Sequence, residues 1–280
     1  MTPPRAGYEA SYSRSADGWD PHIAHFTTFG ARLVELADPR PGERVLDVGA
    51  GRGACLFPAA GRVGPQGRVD GVDLAERMVE CLAADIAERG VRNATARRMD
   101  AQALTVPDAS YDVVTCAFTL FILPDPAAAA AGFLRALRPG GRCAVSVPDG
   151  PLRPAGLWDV ERLYHSYARR LLDGSAPVLM PDFDLDPAAL LADAGFTRVE
   201  AAEEVREFVF PSVDAWWEWT WTVNVRAFYE RLPPPLLEEM RREAFAMLAP
   251  LVPDEGLPAV AGARFATAVR PPAPGSPRRM

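Results

Sequence analysis

The sequence contains no lysine: all 30 basic residues are arginines, set against 37 acids for a formal charge of −7. That balance argues against a nucleic-acid substrate, whose phosphates need a basic face. Alongside abundant Ala and Pro, arginine-only usage reads as codon bias in a GC-rich genome rather than as a binding feature. Histidine is scarce too, with only His22, His25 and His165. The four cysteines, Cys55, Cys81, Cys116 and Cys143, fall inside expected helices and strands without metal-ligand spacing. They predict reduced core thiols and no metal site. No apolar run reaches membrane-spanning length, and Met1 to Gly7 carries Pro and Arg where a secretory leader would be apolar. No internal repeat is evident. The 280 residues, 49% hydrophobic and 24% charged, suffice for a large core. We therefore expect a cytoplasmic globular protein, monomer or homodimer, that neither enters a membrane nor binds nucleic acid.

The most informative stretch is Val45-Leu46-Asp47-Val48-Gly49-Ala50-Gly51-Arg52-Gly53. An apolar run carrying an acid ends in three glycines at alternate positions, then opens a helix expected from Ala54 to Arg62. Glycine suits a strand-end turn with unusual backbone angles, and it lets the backbone approach a ligand closely. About twenty residues on, a second strand, Arg68-Val69-Asp70-Gly71-Val72-Asp73-Leu74, also ends in an acid. An acid there accepts hydrogen bonds from both ribose hydroxyls of a nucleoside. Glycine loop and ribose acid together specify an adenosine-type ligand. Gly49-x-Gly51-x-x-Ala54 also satisfies a loose dinucleotide fingerprint, which keeps a nicotinamide-dependent oxidoreductase in view.

Three further motifs favour a different ligand. Arg97-Arg98-Met99-Asp100-Ala101 closes a third strand with an Asp-Ala pair, and Tyr111-Asp112 enters a fourth strand running to Phe118. Leu137-Arg138-Pro139-Gly140-Gly141-Arg142 is a turn into the apolar strand Cys143 to Val147. With the glycine loop and ribose acid, these ordered motifs over residues 19 to 147 resemble the class I S-adenosylmethionine-dependent methyltransferases. The likeness is nearest to the small-molecule branch that includes the ubiquinone/menaquinone-type enzymes. It implies S-adenosylmethionine as cofactor and a Rossmann-like, seven-stranded, mostly parallel sheet whose last strand is antiparallel.

Residue periodicity agrees with an α/β fold. Phe26, Phe29, Leu33 and Leu36 recur at helical spacing, and strands then alternate with helices as far as residue 147. Such alternation predicts a parallel sheet with helices on both faces. Beyond Pro148 the rhythm breaks. A helix is expected over Trp158 to Leu172, a short one over Pro187 to Ala194, and a strand over Phe196 to Phe210. Two helices (Ser212 to Arg231, Pro234 to Leu248) and a strand from Arg264 to Arg270 follow. The expected organisation is a flexible arm over 1–20, one methyltransferase domain over 21–270 and a disordered tail over 271–280. Insertions at 150–180 and 212–250 would build a helical lid.

Strand ends in open α/β sheets gather their ligand groups on the carboxyl edge. There the loop Gly49, Ala50 and Gly51 is expected to hold the cofactor, with Asp47 orienting loop amides and the Gly49 carbonyl facing the methionine ammonium, a role the resemblance supports. Asp73 is expected on the ribose diol, with Asp70 its nearest rival, and Leu74 and Met78 along the adenosine. Asp100 would accept from the adenine amino group, with the Ala101 amide at a ring nitrogen. Cys116 to Phe118 reach the same edge, and Phe118 and Phe121 would line the methyl-transfer pocket. The quinone-type relatives carry a polar segment there and Tyr-Asp near the N-terminus; this chain has Phe-Thr-Leu-Phe and Trp19-Asp20. Trp19, Tyr12 and Tyr8 would either cap the ligands or pin the arm.

If the acceptor must lose a proton, a histidine is the natural base. His165 and His22 are the first candidates, ahead of His25, each with a structural or solvated alternative. In Ala215 to Asn224, Trp217 and Trp221 share a helix face while Trp216 and Trp219 point elsewhere, so all four are not expected in one core. One face would roof an apolar acceptor pocket; a doubly buried helix or a dimer contact is the other reading. Taken together, the sequence predicts methyl transfer from S-adenosylmethionine to carbon or oxygen of a small apolar or aromatic metabolite. A cofactor-binding protein of the same fold without transfer, such as a cyclase or scaffold, is the alternative.

Overall fold

In a computed structural model, the residues described are 5–20, 22–154, 157–171, 183–223 and 225–272. From the N-terminus the elements are α1 (Arg5–Ser15), α2 (His25–Ala37), β1 (Arg44–Val48), α3 (Leu56–Val63), β2 (Arg68–Asp73) and α4 (Glu76–Glu88). Next come β3 (Ala94–Arg98), β4 (Tyr111–Ala117), α5 (Pro126–Ala136) and β5 (Leu137–Pro148). The later half contains β6 (Arg153–Pro154), α6 (Leu157–Leu171), α7 (Pro187–Asp193) and β7 (Thr197–Phe210). It ends with α8 (Val213–Thr220), α9 (Val225–Tyr229), α10 (Pro234–Leu248) and β8 (Leu257–Val269).

The chain forms two compact units. One, the sheet unit, comprises Phe26–Pro148, Asp182–Glu204 and Ala263–Met280. Its strands β1 to β5 pair in parallel in the order β3-β2-β1-β4-β5, and β8 closes on β5 antiparallel, Ala144 opposite Thr267. β7 pairs with β8, giving the seven-stranded Rossmann-like sheet expected, with the two-residue β6 as an added rung. The central strands are apolar runs because both faces are covered: Val45, Leu46 and Val48 of β1 and Val113, Val114 and Cys116 of β4 are buried. Phe29, Leu33, Val34 and Ala37 make the buried stripe of α2.

The other, the aromatic unit, comprises Met1–His25, Asp149–Pro181 and Val205–Gly262. Both sequence insertions fall here, together with the N-terminal segment. From Arg5 the expected flexible arm is helical, and Arg14 pairs with Glu230 while the Ser15 hydroxyl meets the Trp221 carbonyl. The core gathers Val160, Leu163, Tyr167, Phe210, Trp216, Trp217, Trp219, Tyr229, Met240 and Leu248.

Three boundaries and one packing expectation differ for local reasons. The helix expected from Ala54 starts at Leu56, because Gly49, Gly51 and Gly53 all have positive φ and the turn runs on past them. The helix expected over 212–231 is two, α8 and α9. β8 begins at Leu257, earlier than Arg264, since Leu257, Ala259 and Ala261 alternate inward although their small side chains give a faint periodic signal. The four tryptophans were not expected in one core, yet they share one: Trp216, Trp217 and Trp219 are buried and Trp221 packs against the cluster. α8 is buried on all but the narrow strip that carries Asp214 and Glu218, so helical spacing does not divide its tryptophans between core and solvent. The tail expected to be disordered lies outside the described residues from 273 onward, as do residues 1–4.

Candidate active site

The ends of β1, β2, β3 and β4 assemble the candidate site within the sheet unit. Asp47 sits in β1, buried, and its Oδ1 accepts from the Thr115 hydroxyl of β4 at 2.8 Å. Burial pushes its carboxyl up to about 7, and the Asp73 charge adds to this; hydrogen bonds from Thr115 and the Leu56 amide oppose it. Asp47 thereby braces the start of α3 from beneath the loop. Above it the chain turns through Gly49, Ala50 and Gly51, with the Gly49 and Ala50 amides both donating to the Val72 carbonyl (2.8 and 3.0 Å).

Asp73 ends β2 and is partly exposed. Its Oδ2 accepts from the Gly51 amide and its Oδ1 from the Ala75 amide, both at 2.9 Å. Burial raises its pKa while the Ala75, Gly51 and Leu74 amides pull it down. A carboxylate offers about four lone-pair positions, so both oxygens retain acceptor capacity. Asp70, the rival, is engaged elsewhere: it accepts from Thr95 (2.7 Å), Arg68 (2.9 Å) and the Tyr111 hydroxyl (3.0 Å). Burial alone would raise its pKa, but these hydrogen bonds leave it lowered. It is a structural acid of the sheet.

Asp100 follows β3, partly exposed, and accepts from the Gln102 amide at 3.0 Å; Gln102 in turn accepts from the Asp125 amide at 2.7 Å. Ala101 beside it is buried. Leu74 is partly exposed, whereas Met78 and Cys116 are buried in the core. Phe118 leaves β4 with φ 47°, a left-handed conformation rare for a bulky side chain, and packs on Phe26 and Phe29. Phe121 is buried and stacks on Phe183. The glycine loop, Asp73 and Asp100 thus share one edge. Partly exposed carboxylates at two adjacent strand ends, beside a loop of left-handed glycines, suit an adenosine bearing a sulfonium side chain.

The remaining candidates belong to the aromatic unit. Trp19 is partly exposed and packs edge-on against Tyr12 at 5.8 Å; the side chain of Tyr8 lies outside the described set. Trp217 is 7% exposed and stacks on Tyr229 with centroids 4.8 Å apart, and Trp221 lies 4.9 Å from the same ring. His22 is not helical; it has φ 76° and its Nε2 lies 2.9 Å from Glu218. His165 is exposed on α6. His25 is buried against Phe208 and Trp219, and burial lowers its pKa to about 3.

Sequence reasoning missed three contributors. Arg52 forks onto both oxygens of Asp85, 2.7 Å each, tying the glycine loop to α4. Thr115 supports Asp47, and Thr119 lies against Gly49. Each lies within a motif, but its role was hidden because its partner is set by the fold many residues away. Among the described residues no group of His, Cys, Asp or Glu could hold a metal ion, and no helix is long and apolar enough to cross a membrane.

A Rossmann-like sheet with this loop and these strand-end acids defines a nucleoside-binding α/β enzyme. Residues 45–141 match the methyltransferase domain family. Nocamycin O-methyltransferase of Saccharothrix syringae is 39% identical over 259 residues, covering 88% of this chain and 89% of that protein. Aklanonic acid methyltransferase DauC of a Streptomyces species is 45% identical over 126 residues, 45% of this chain and 57% of that one. Among solved structures, the cyclase SpnF shares the fold at TM-score 0.52 and 18% identity, covering 88% of this chain and 82% of that one. The chain belongs to the class I S-adenosylmethionine-dependent methyltransferases. It is an enzyme with S-adenosylmethionine as cofactor, and the nicotinamide reading is set aside.

Proposed function

We propose that the enzyme methylates an oxygen of a small, largely apolar organic acid that arrives ionised. The observation carrying this reading is the similarity to nocamycin O-methyltransferase across nearly the whole of both chains. The second relative is named for an acid, which supports the same class. A net charge of −7 favours a small acceptor over nucleic acid.

The bound cofactor supplies a methyl group on a sulfonium, open to in-line displacement. Much of the catalysis is then positioning. We assign the loop Gly49, Ala50 and Gly51 to the methionine portion, Asp73 to the ribose diol, Leu74 to the adenosine flank, and Asp100 with the Ala101 amide to the adenine edge. Met78 and Cys116 act through packing, being buried beneath that edge. Phe118 and Phe121 supply apolar wall near the end of β4.

An ionised carboxyl oxygen has no proton to remove, so no general base is needed. That suits a chain whose three histidines are a sealed His25, a His22 engaged by Glu218 and an exposed His165. The test is methyl transfer from labelled S-adenosylmethionine to a panel of apolar carboxylic acids, aklanonic acid among them, beside phenols of similar size. We expect label in a methyl ester, released by mild base. Label retained through base, on a phenol ether or on carbon, overturns the reading, as does cofactor binding without any transfer.

A further inference from the structure

Gly49 is expected from the sequence to be glycine so that a ligand can come close. The structure puts a protein side chain there instead. A β-carbon built on Gly49 would lie 2.1 Å from Thr119 Oγ1 and 2.8 Å from both its Cβ and Cγ2. Three heavy atoms of one residue therefore fill the space over the Gly49 α-carbon. Real β-carbons do not tolerate such distances, so side chain or loop must shift if either residue grows.

Thr119 is itself held in place. Its hydroxyl donates to the Ala117 carbonyl at 3.0 Å, tying it to the last residue of β4. It precedes a 3-10 turn, Leu120–Ile122, yet makes no side-chain cap there, so the hydroxyl is turned to the strand and not to the turn. The neighbouring Phe118, in its left-handed conformation and anchored by its amide on the Ser146 carbonyl at 2.9 Å, turns the backbone so that Thr119 comes over β1. From the other side, the Val72 carbonyl holds the Gly49 and Ala50 amides. The glycine loop is clamped between β2 and Thr119.

We propose that Thr119 is a positioning residue for S-adenosylmethionine: it braces the Gly49 loop and makes the shape of the cofactor seat depend on the segment after β4. This rests on the cofactor assignment above. It goes beyond that assignment in giving Gly49 a protein partner and in linking the cofactor loop to the segment that carries Phe118 and Phe121.

A double-mutant cycle tests it: Gly49→Ala, Thr119→Gly and the pair, read by S-adenosylhomocysteine affinity in calorimetry and by melting temperature. Gly49→Ala alone should weaken binding about 100-fold, since misplacing a site by about 1 Å has effects of that order. Part of that is the cost of alanine at positive φ, which is the same in both backgrounds and cancels in the cycle. In the Thr119→Gly background the same change should cost at least about 10-fold less, a coupling typical of residues in contact. Equal cost in both backgrounds overturns the brace and returns Gly49 to ligand clearance alone. If Gly49→Ala does not fold, Thr119→Ala decides: weaker binding at an unchanged melting temperature supports the brace, and wild-type affinity overturns it. Loss of binding in Asp73→Ala with an intact cycle keeps the cofactor assignment separate from this one; wild-type affinity in Asp73→Ala would undo the assignment itself.

Discussion

The two units hold their shape by different means. In the sheet unit the candidate site is built largely from backbone, with left-handed glycines and amides aimed at Asp73, beside acids at strand ends. In the aromatic unit the features are side chains, with Trp217 stacked on Tyr229, the Tyr164 and Tyr229 hydroxyls 2.6 Å apart, and Thr220 3.0 Å from the same oxygen. Burial raises both tyrosines above their ordinary range and keeps them protonated; the hydrogen bond from Tyr229 partly offsets this at Tyr164, as that from Thr220 does at Tyr229. A ligand-binding edge must leave polar groups partly exposed, whereas a core satisfies them internally. The lesson is that abundance of aromatics alone does not mark a pocket.

The largest expected effect would break this contrast if it failed. Trp217→Ala should destabilise by about 3–5 kcal/mol, the range for truncating a large buried aromatic, and leave S-adenosylhomocysteine affinity within twofold. Thermal melts and calorimetry on one preparation check both. A normal melt with weakened acceptor binding would mean that Trp217 faces a ligand after all. Asp73→Ala should do the reverse. Its effect should be on cofactor binding, about 1.5–3 kcal/mol per charge-assisted hydrogen bond, with a small shift in melting temperature.

The units should also respond to pH with opposite sign, over overlapping ranges. His25 has its folded pKa lowered by burial to about 3 from 6.5, so stability is full above about 6.5 and falls with acid down to about 3. Asp47 has its folded pKa raised by burial to about 7 from 3.8, so its contribution is full below about 3.8 and is lost as pH climbs to about 7. His25→Gln should flatten the acid limb of melting temperature against pH, and Asp47→Asn the limb between about 4 and 7. If either variant leaves its limb unchanged, the titrating group lies elsewhere. Smallest of all, His165→Ala and His22→Ala should change kcat less than twofold. A loss of about 10²–10⁴ in either would reveal a base and with it an acceptor that must be deprotonated.

Legibility followed the same division. Residues 45 to 147 announce themselves because strand-turn-helix units are local, and a glycine or acid at a strand end has a fixed spacing. Asp73 and Asp100 could be placed without coordinates. What Asp70 does instead shows only through Arg68, Thr95 and Tyr111, three partners on three strands. Thr119 was invisible because the space it fills belongs to a residue seventy positions earlier. In the aromatic unit, helical spacing divides Trp216, Trp217, Trp219 and Trp221 between faces, which decides burial only for a helix with one wet side. α8 is wet only along the narrow strip of Asp214 and Glu218, which leaves its tryptophans together in the wide buried arc, so the pattern misled.

β8 has a consequence for how the chain comes to be folded. Its residues 263–269 form the antiparallel partner of β5, while more than a hundred residues of sequence separate the two strands. Closing so long a loop is slow on topological grounds, and little is gained until the last rungs register. During synthesis β5 therefore emerges as an open edge, its Cys143, Ala144 and Val145 with no neighbour on one side. Such an edge is a template for wrong pairing. A chain stopped before residue 263 should accumulate as aggregate rather than as a smaller, working methyltransferase.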